Sequence, residues 1–299
     1  MSFDTIFDRA LVRRRRRRAL ALGPATFLID RVADDMAERL AAVLRRFDLA
    51  LDLGTPGEAV RTALSRLDSV GTVVKADSLL PPTPRSAAPF VAADEEALPF
   101  GDAALDLVVS ALALQSANDL PGVFVQVRRA LRPDGLFLAA LFGGETLTEL
   151  RQSFAAAESE VEGGASPRVA PFADLRDLGA LLQRAGFAMP VTDSDRVTVR
   201  YDSALDLMRD LRRMGATNAL NARRRAPLKR ATLLRLGEIY AERFADADGR
   251  VRATFEVLWL AGWAPHPGQQ QPLKPGTARA RLAEALGARE ISAGEKAGG

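Results

Sequence analysis

Gly54, Asp77, Asp94 and Gly143 are the positions whose type and spacing point most directly to chemistry. Each falls just past a short apolar run, at residues 49–53, 72–76, 90–93 and 136–142. A glycine turn between a strand and a helix brings backbone close to a ligand and aims helix N–H groups at it. The turn Gly54-Thr55-Pro56-Gly57 is not a P-loop, since no Gly-Lys-Ser/Thr follows. It also fails as a dinucleotide fingerprint, because Pro56 and Glu58 hold the next two glycine positions. An acid closing the second strand can accept both hydroxyls of a ribose, so Asp77 suits an adenosine ligand without a 2′-phosphate. An acid after the third strand, Asp94, can accept from an adenine amino group. Aspartate at a strand end is also a common turn residue, so the inference rests on these positions together.

For them to meet, the runs must be strands of one sheet. The chain alternates short apolar runs with helical patterns, which is the signature of a mostly parallel α/β sheet covered on both faces. Right-handed crossovers then bring every parallel strand's C-terminal end to one rim, and open sheets bind ligands there, at the switch in strand order. Helices are expected at 27–47, at 58–67, after a cap at Asn118-Asp119, and at 174–185. Further helices are expected after Asp202 or Ser203 and at 228–244. Arg132-Pro133-Asp134-Gly135 reads as a turn. Residues 105–112, 190–201 and 251–263 complete the strands. This divides the chain into a basic arm at 1–26, a domain at 27–263 with a helical insertion at about 202–249, and a Pro/Gly/Gln-rich tail at 264–299 carrying a short helix at 278–287.

Composition removes much other chemistry. The 299 residues contain no cysteine and one histidine, His266. Disulfides, thiolate metal sites and cysteine nucleophiles are excluded, and no metal site is expected. No apolar run approaches the ~20 residues of a membrane helix. The net charge of +3 divides unevenly, with +5 in residues 1–20 and −2 in the remainder. The body therefore gives no case for nucleic-acid binding. The block Arg13 to Arg18 suits an acidic partner or an anionic membrane surface, or a solvated helix face with no partner.

Ala50-Leu51-Asp52-Leu53-Gly54, Asp94-Glu95-Glu96-Ala97-Leu98-Pro99-Phe100, Leu105-Asp106-Leu107-Val108-Val109-Ser110 and Leu131-Arg132-Pro133-Asp134-Gly135 resemble the successive motifs of class I S-adenosylmethionine (SAM)-dependent methyltransferases. Ile6-Phe7-Asp8-Arg9-Ala10-Leu11, Asn118-Asp119-Leu120-Pro121-Gly122, Phe142-Gly143-Gly144-Glu145-Thr146-Leu147 and Met214-Gly215-Ala216-Thr217-Asn218 resemble, more closely, bacterial relatives of mitochondrial complex I assembly factor 5. The resemblance implies a Rossmann-like seven-stranded sheet and SAM as cofactor. It implies Asp52, Gly54 and Gly57 beside the methionine part, Asp77 at the ribose, and Asp94 with Glu95 at the adenine. Asn118 and Asp119 would sit at the rim beside the substrate.

The family also implies a protein client, a subunit of respiratory NADH:quinone oxidoreductase, modified by methylation or arginine hydroxylation. The expected location is cytoplasmic, at the periphery of the inner membrane. The chain departs from the family pattern in two places. Pro56 and Glu58 replace glycines of the cofactor turn, so Glu58 is expected to intrude on the ligand's space. Ser116 stands where tryptophan is usual. These departures keep a non-catalytic assembly chaperone in view, and the shared generic motifs keep a small-molecule or acyl-carrier methyltransferase in view.

Overall fold

Leu136, Leu138, Ala140 and Phe142 bury against one layer of helices, while Phe137, Ala139 and Leu141 bury against another. Side chains alternate across a strand, so this run is a central strand with both faces covered. The structure, a computed structural model, describes residues 5–80 and 88–266 together with Gly268 and Gly287. The short helix expected at 278–287 lies, apart from Gly287, outside the described residues. Residues up to Pro265 form one unit, built on β1 (Phe47–Leu53), β2 (Val70–Asp77), β3 (Phe90–Ala92), β4 (Leu105–Ala111), β5 (Leu131–Phe142), β6 (Ala188–Tyr201) and β7 (Val251–Trp263).

The sheet order is β3-β2-β1-β4-β5-β7-β6. The first five strands pair in parallel, and β7 runs antiparallel between β5 and β6. Strand order reverses between β1 and β4, so the ends of β1, β2 and β4 open onto one crevice. Around the sheet lie α1 (Arg9–Ala21), α2 (Phe27–Ala41), α3 (Ala59–Leu64), α4 (Leu120–Ala130), α5 (Thr148–Glu162), α6 (Leu175–Arg184), α7 (Ala204–Arg213) and α8 (Arg230–Phe244). Helices α4 and α6 bury Val123, Phe124, Leu178 and Leu182 on one face. On the other, α2, α3, α5, α7 and α8 meet in a second cluster around Met36, Leu64, Phe154, Leu207 and Tyr240. Helices α7 and α8 are inserted between β6 and β7.

Helix starts follow their caps. The Asp119 carboxylate accepts from Gly122 N at 2.9 Å at the start of α4, and Asp174 accepts from Arg176 N at 2.8 Å at α6. Of the two candidates for α7, Ser203 is the cap. Helix α5 follows no such signal. It begins after Leu147, held in a left-handed conformation at φ 57° and tied by its N–H to Thr254 O of β7 at 2.7 Å. Buried carboxylates anchor this helix to its surroundings. Glu149 accepts from Thr254 N and Oγ1, and Glu158 accepts from Ser166 N and Arg168 Nε.

The expected turn at Arg132–Gly135 falls within β5. Pairing with β4 jumps from Leu105–Leu131 to Leu107–Leu136, so the turn bulges out of the ladder, with Asp134 at φ 60°. Two backbone bonds stitch it to Ala264 beyond the end of β7. No helix among the described residues is long and apolar enough to cross a membrane.

Phe137 is fully buried, stacked on Phe187 and edge-to-face with Phe124, both centroids at 5.5 Å. Phe137→Ala should lower the unfolding free energy by about 3–5 kcal/mol, through lost burial and the cavity left behind. Urea denaturation followed by circular dichroism would measure this, and a loss below about 1 kcal/mol would contradict the packing described.

Candidate functional site

The turn after β1 is shaped by two glycines and one buried lysine. Gly54 has φ +71°, and a Cβ there would lie 2.8 Å from Glu95 Cγ and 3.2 Å from Ala113 Cβ, so conformation and space both require glycine. Gly57 has φ +73° with open space around it. Thr55 is fully buried, and its Oγ1 accepts from Ala111 N at 3.0 Å, tying the turn to β4. Lys75, buried on β2, donates to Thr55 O at 2.9 Å and to Gly57 O. The lysine thus fixes two carbonyls of the turn in which Pro56 and Glu58 replace glycines. It went unnoticed in the sequence, although lysine is rare there (residues 75, 229, 274 and 296) and this one stands inside an apolar strand.

Glu58 does not fill the hollow. Its carboxylate accepts from Arg61 Nε at 2.7 Å and its side chain is 53% exposed. Its Oε2 pairs with Arg61 at i,i+3 while its Oε1 lies 3.8 Å from Lys75 Nζ, so Glu58 borders the cavity with a half-exposed side chain and does not form the steric block expected.

Asp52 lies behind the turn and does not line the cavity. It is fully buried, with Oδ2 3.7 Å from Lys75 Nζ and neither oxygen hydrogen-bonded among the described residues. Burial pushes its carboxyl up to about 6, against the opposing pull of the Lys75 ammonium.

Asp77, Asp94 and Glu95 converge at the rim, and all three are held by arginines of α1. Arg16 grips Asp77 with both Nη atoms, at 2.6 Å and 3.2 Å, and its Nη2 also donates to Gly54 O at 3.1 Å. Asp77 Oδ1 further accepts from Leu79 N. Arg9 donates to Asp94 at 2.7 Å and to Glu95, and Arg13 takes the second oxygen of Asp94. Burial works against the Asp94 charge, but the Glu96 N–H, Arg9 and Arg13 outweigh it and hold the carboxyl below its ordinary range. Residues 9, 13 and 16 follow i, i+4, i+7 spacing and share one helix face. That spacing was the available signal for their role. Read as an arm for outside partners, the arginine run instead turns Arg13 and Arg16 inward and leaves Arg14, Arg17 and Arg18 exposed.

The loops that dock α1 account for other singled-out residues. Asn118 accepts from Phe7 N at 2.8 Å and donates to Phe7 O at 3.1 Å. Asp8 caps α1 through Leu11 N and pairs with Arg223 at 3.2 Å. Gly215, at φ +74°, lies where a Cβ would meet the Arg16 Cα at 3.1 Å. Asn118 is therefore committed to holding the chain where it enters α1, and Asp119 is the exposed cap of α4. Neither lines the cavity, which corrects their placement beside the substrate. Gly143 is also outside the cavity, packed so closely on β7 that a Cβ would lie 2.4 Å from Glu256 Oε2.

Beneath α1 lies a cavity of about 580 Å³. Asp77, Glu95 and the Pro56-Gly57-Glu58 turn line it, as do Phe142, Phe154 and Phe172. Arg15 also faces it with a buried Nη1 that has no hydrogen-bond partner among the described residues. Desolvation, then Arg223 and Arg18, push this guanidinium down to about 10. The volume lies within the ~300–1,000 Å³ of small-molecule sites, and carboxylates flanking a glycine turn suit a neutral, hydroxyl-rich ligand head.

A methyltransferase domain model matches residues 51–139. The chain is 40% identical over 287 residues to the mitochondrial arginine-hydroxylase NDUFAF5 of Danio rerio, covering 93% of this chain and 89% of that protein. It is 33% identical to the malonyl-[acyl-carrier protein] O-methyltransferase of Nitrosospira multiformis, covering 93% and 96%. A methyltransferase structure from Bacillus halodurans superposes with a TM-score of 0.52 at 18% identity, covering 78% of this chain and 99% of that one.

Asp52 has a folded value above its ordinary 3.8, so its stabilising contribution is complete below about pH 4 and lost as pH rises through about 6. Compared with Asp52→Asn, the wild type should lose roughly 3 kcal/mol of unfolding free energy between about pH 4 and 7, at about 1.4 kcal/mol per unit. Urea titrations of both proteins across that range would measure the difference, and a flat difference would show that Asp52 is ionised throughout.

Proposed function

Because the chain belongs to the class I methyltransferase-fold family that holds the NDUFAF5 arginine hydroxylases, we propose that it binds SAM at this rim and modifies a protein side chain. The client is a subunit of respiratory NADH:quinone oxidoreductase undergoing assembly. The observation that carries this reading is that Asp77 and Glu95 line one cavity together with the Pro56-Gly57-Glu58 turn, with Asp94, outside that lining, tied to Glu95 through Arg9.

The residues present fit the cofactor. Gly54 and Gly57 would border its amino-acid part, Asp77 would accept from the ribose, and Asp94 with Glu95 would face the adenine. Asp52 would act from behind the turn, through Lys75. Bound SAM supplies an electrophilic methyl group. Transfer of that group asks the protein for positioning and for a dry, shaped pocket. The phenylalanine wall of the cavity provides the second, and the Lys75-stapled turn supports the first. Hydroxylation asks for more. With one histidine and no cysteine, the chain cannot build the two-histidine, one-carboxylate iron site from its own side chains. Methyl transfer is therefore the chemistry these residues support best.

A second reading, a scaffold that holds its client without chemistry, is favoured by one observation. Each of the three rim carboxylates is already held by an arginine of the same chain. Calorimetric titration of the full chain with SAM separates the two. Saturable binding is expected, weakened roughly 10- to 100-fold by Asp77→Ala, the cost of a hydrogen bond to a charged group. No heat at millimolar SAM would leave the scaffold.

The reaction itself is read by mass spectrometry of the oxidoreductase subunits from cells with and without this gene. One methyl present only with the gene is expected. One oxygen would name hydroxylation instead, and unchanged masses would remove the modification.

A further inference from the structure

Most of the acceptor capacity of Asp77 and Asp94 is taken: each accepts three hydrogen bonds where a carboxylate offers about four sites. Asp77 gives Oδ2 to Arg16, and Oδ1 to both Arg16 and Leu79 N. Asp94 gives Oδ1 to Arg9 and Glu96 N, and Oδ2 to Arg13. A ribose that places both hydroxyls on Asp77 must displace part of the bidentate grip of a guanidinium whose side chain is only 15% exposed. The evicted group cannot simply withdraw with its helix. The α1 backbone at Arg16 rests against Gly215, and Asn118 clamps Phe7 at the helix's approach. The neighbouring acids offer it little more, because Arg9 and Arg13 hold Asp94, Arg9 holds Glu95 Oε2, and Glu95 Oε1 lies 3.7 Å from Arg16 Nη1, beyond hydrogen-bond reach. Leaving a part-buried guanidinium without a partner is costly.

Arg16 also touches the other half of the site. Its Nη2 reaches Gly54 O of the glycine turn, beside which the cofactor's amino-acid part is proposed to lie. One guanidinium thus bridges the ribose acid and that turn. We propose that Arg16 is a specificity-determining residue: it yields Asp77 only to a nucleoside that brings a carboxylate for the displaced guanidinium. The inference rests on the nucleoside reading above and adds a discrimination to it. Adenosine derivatives carrying an amino-acid carboxylate are admitted, while those without one are disfavoured because they take Asp77 and leave Arg16 only its longer 3.7 Å pairing with Glu95.

The test uses two ligands with the same nucleoside. S-adenosylhomocysteine carries the carboxylate, and 5′-methylthioadenosine lacks the amino-acid part. Both are titrated by calorimetry into the wild type, Arg16→Gln and Arg16→Lys, with thermal melts confirming that each variant folds. The wild type should prefer S-adenosylhomocysteine strongly. In Arg16→Gln, methylthioadenosine should bind about tenfold tighter, because nothing need be evicted, and the preference should fall by at least about tenfold. Arg16→Lys loses the two-pronged grip on Asp77 yet keeps a charge for the carboxylate. It should tighten methylthioadenosine while retaining most S-adenosylhomocysteine affinity, and it carries the test if Arg16→Gln fails to fold. Methylthioadenosine affinity that is unchanged or weaker in the variants, with the preference intact, overturns the gate and leaves the nucleoside reading standing. Failure of both ligands to bind any of the three proteins overturns the nucleoside reading, and the gate with it.

Discussion

The contact on which the site depends is the pairing of three α1 guanidiniums with the carboxylates at the ends of β2 and β3. Open parallel sheets collect strand ends at one rim, and here those ends carry Asp77, Asp94 and Glu95. Like charges at such spacing disfavour one another's ionisation. Arg9, Arg13 and Arg16 offset that repulsion, and at Asp94 the Glu96 N–H, Arg9 and Arg13 together overcome burial and hold the carboxyl below its ordinary range. Helix α1 therefore belongs to the site's electrostatics as fully as the sheet does.

The need to hold that helix in place explains blocks that mean little one at a time. Phe7-Asp8-Arg9 supplies the anchor, the cap and the first cation. Asn118 satisfies the Phe7 amide and carbonyl, which would otherwise be left unpaired where the chain enters the helix. Gly215 gives α1 room to come within van der Waals contact, since a Cβ there would lie 3.1 Å from the Arg16 Cα. These residues lie far apart in sequence and meet at one helix. Their shared purpose is to set a positively charged face onto a negatively charged lip.

The cofactor turn shows a similar trade. Pro56 removes an N–H and Glu58 adds a side chain where small residues are usual, yet the turn keeps two positive-φ glycines and gains Lys75. A buried ammonium donating to two turn carbonyls restores rigidity that glycine spacing alone would not give. Its partner Asp52 remains short of hydrogen bonds, so that carboxylate is the least satisfied charge in the core.

The alternation of apolar runs and helical patterns was enough to read the α/β class, the parallel arrangement of the early strands and the rim to which Asp77 and Asp94 belong. Those features follow from local periodicity and from the handedness of crossovers, both written along the chain. Helix α5 was not legible, because its start is fixed by a left-handed Leu147 bonded to β7 rather than by a capping side chain. That Asp119 caps α4 was legible locally, but the roles of Asn118 and Gly143 were not, since a residue's partner across 100 positions leaves no local trace. The arginine run is the clearest case. Sequence shows how much charge it carries, but only the docking of α1 determines which guanidiniums face the molecule's own carboxylates and which face water.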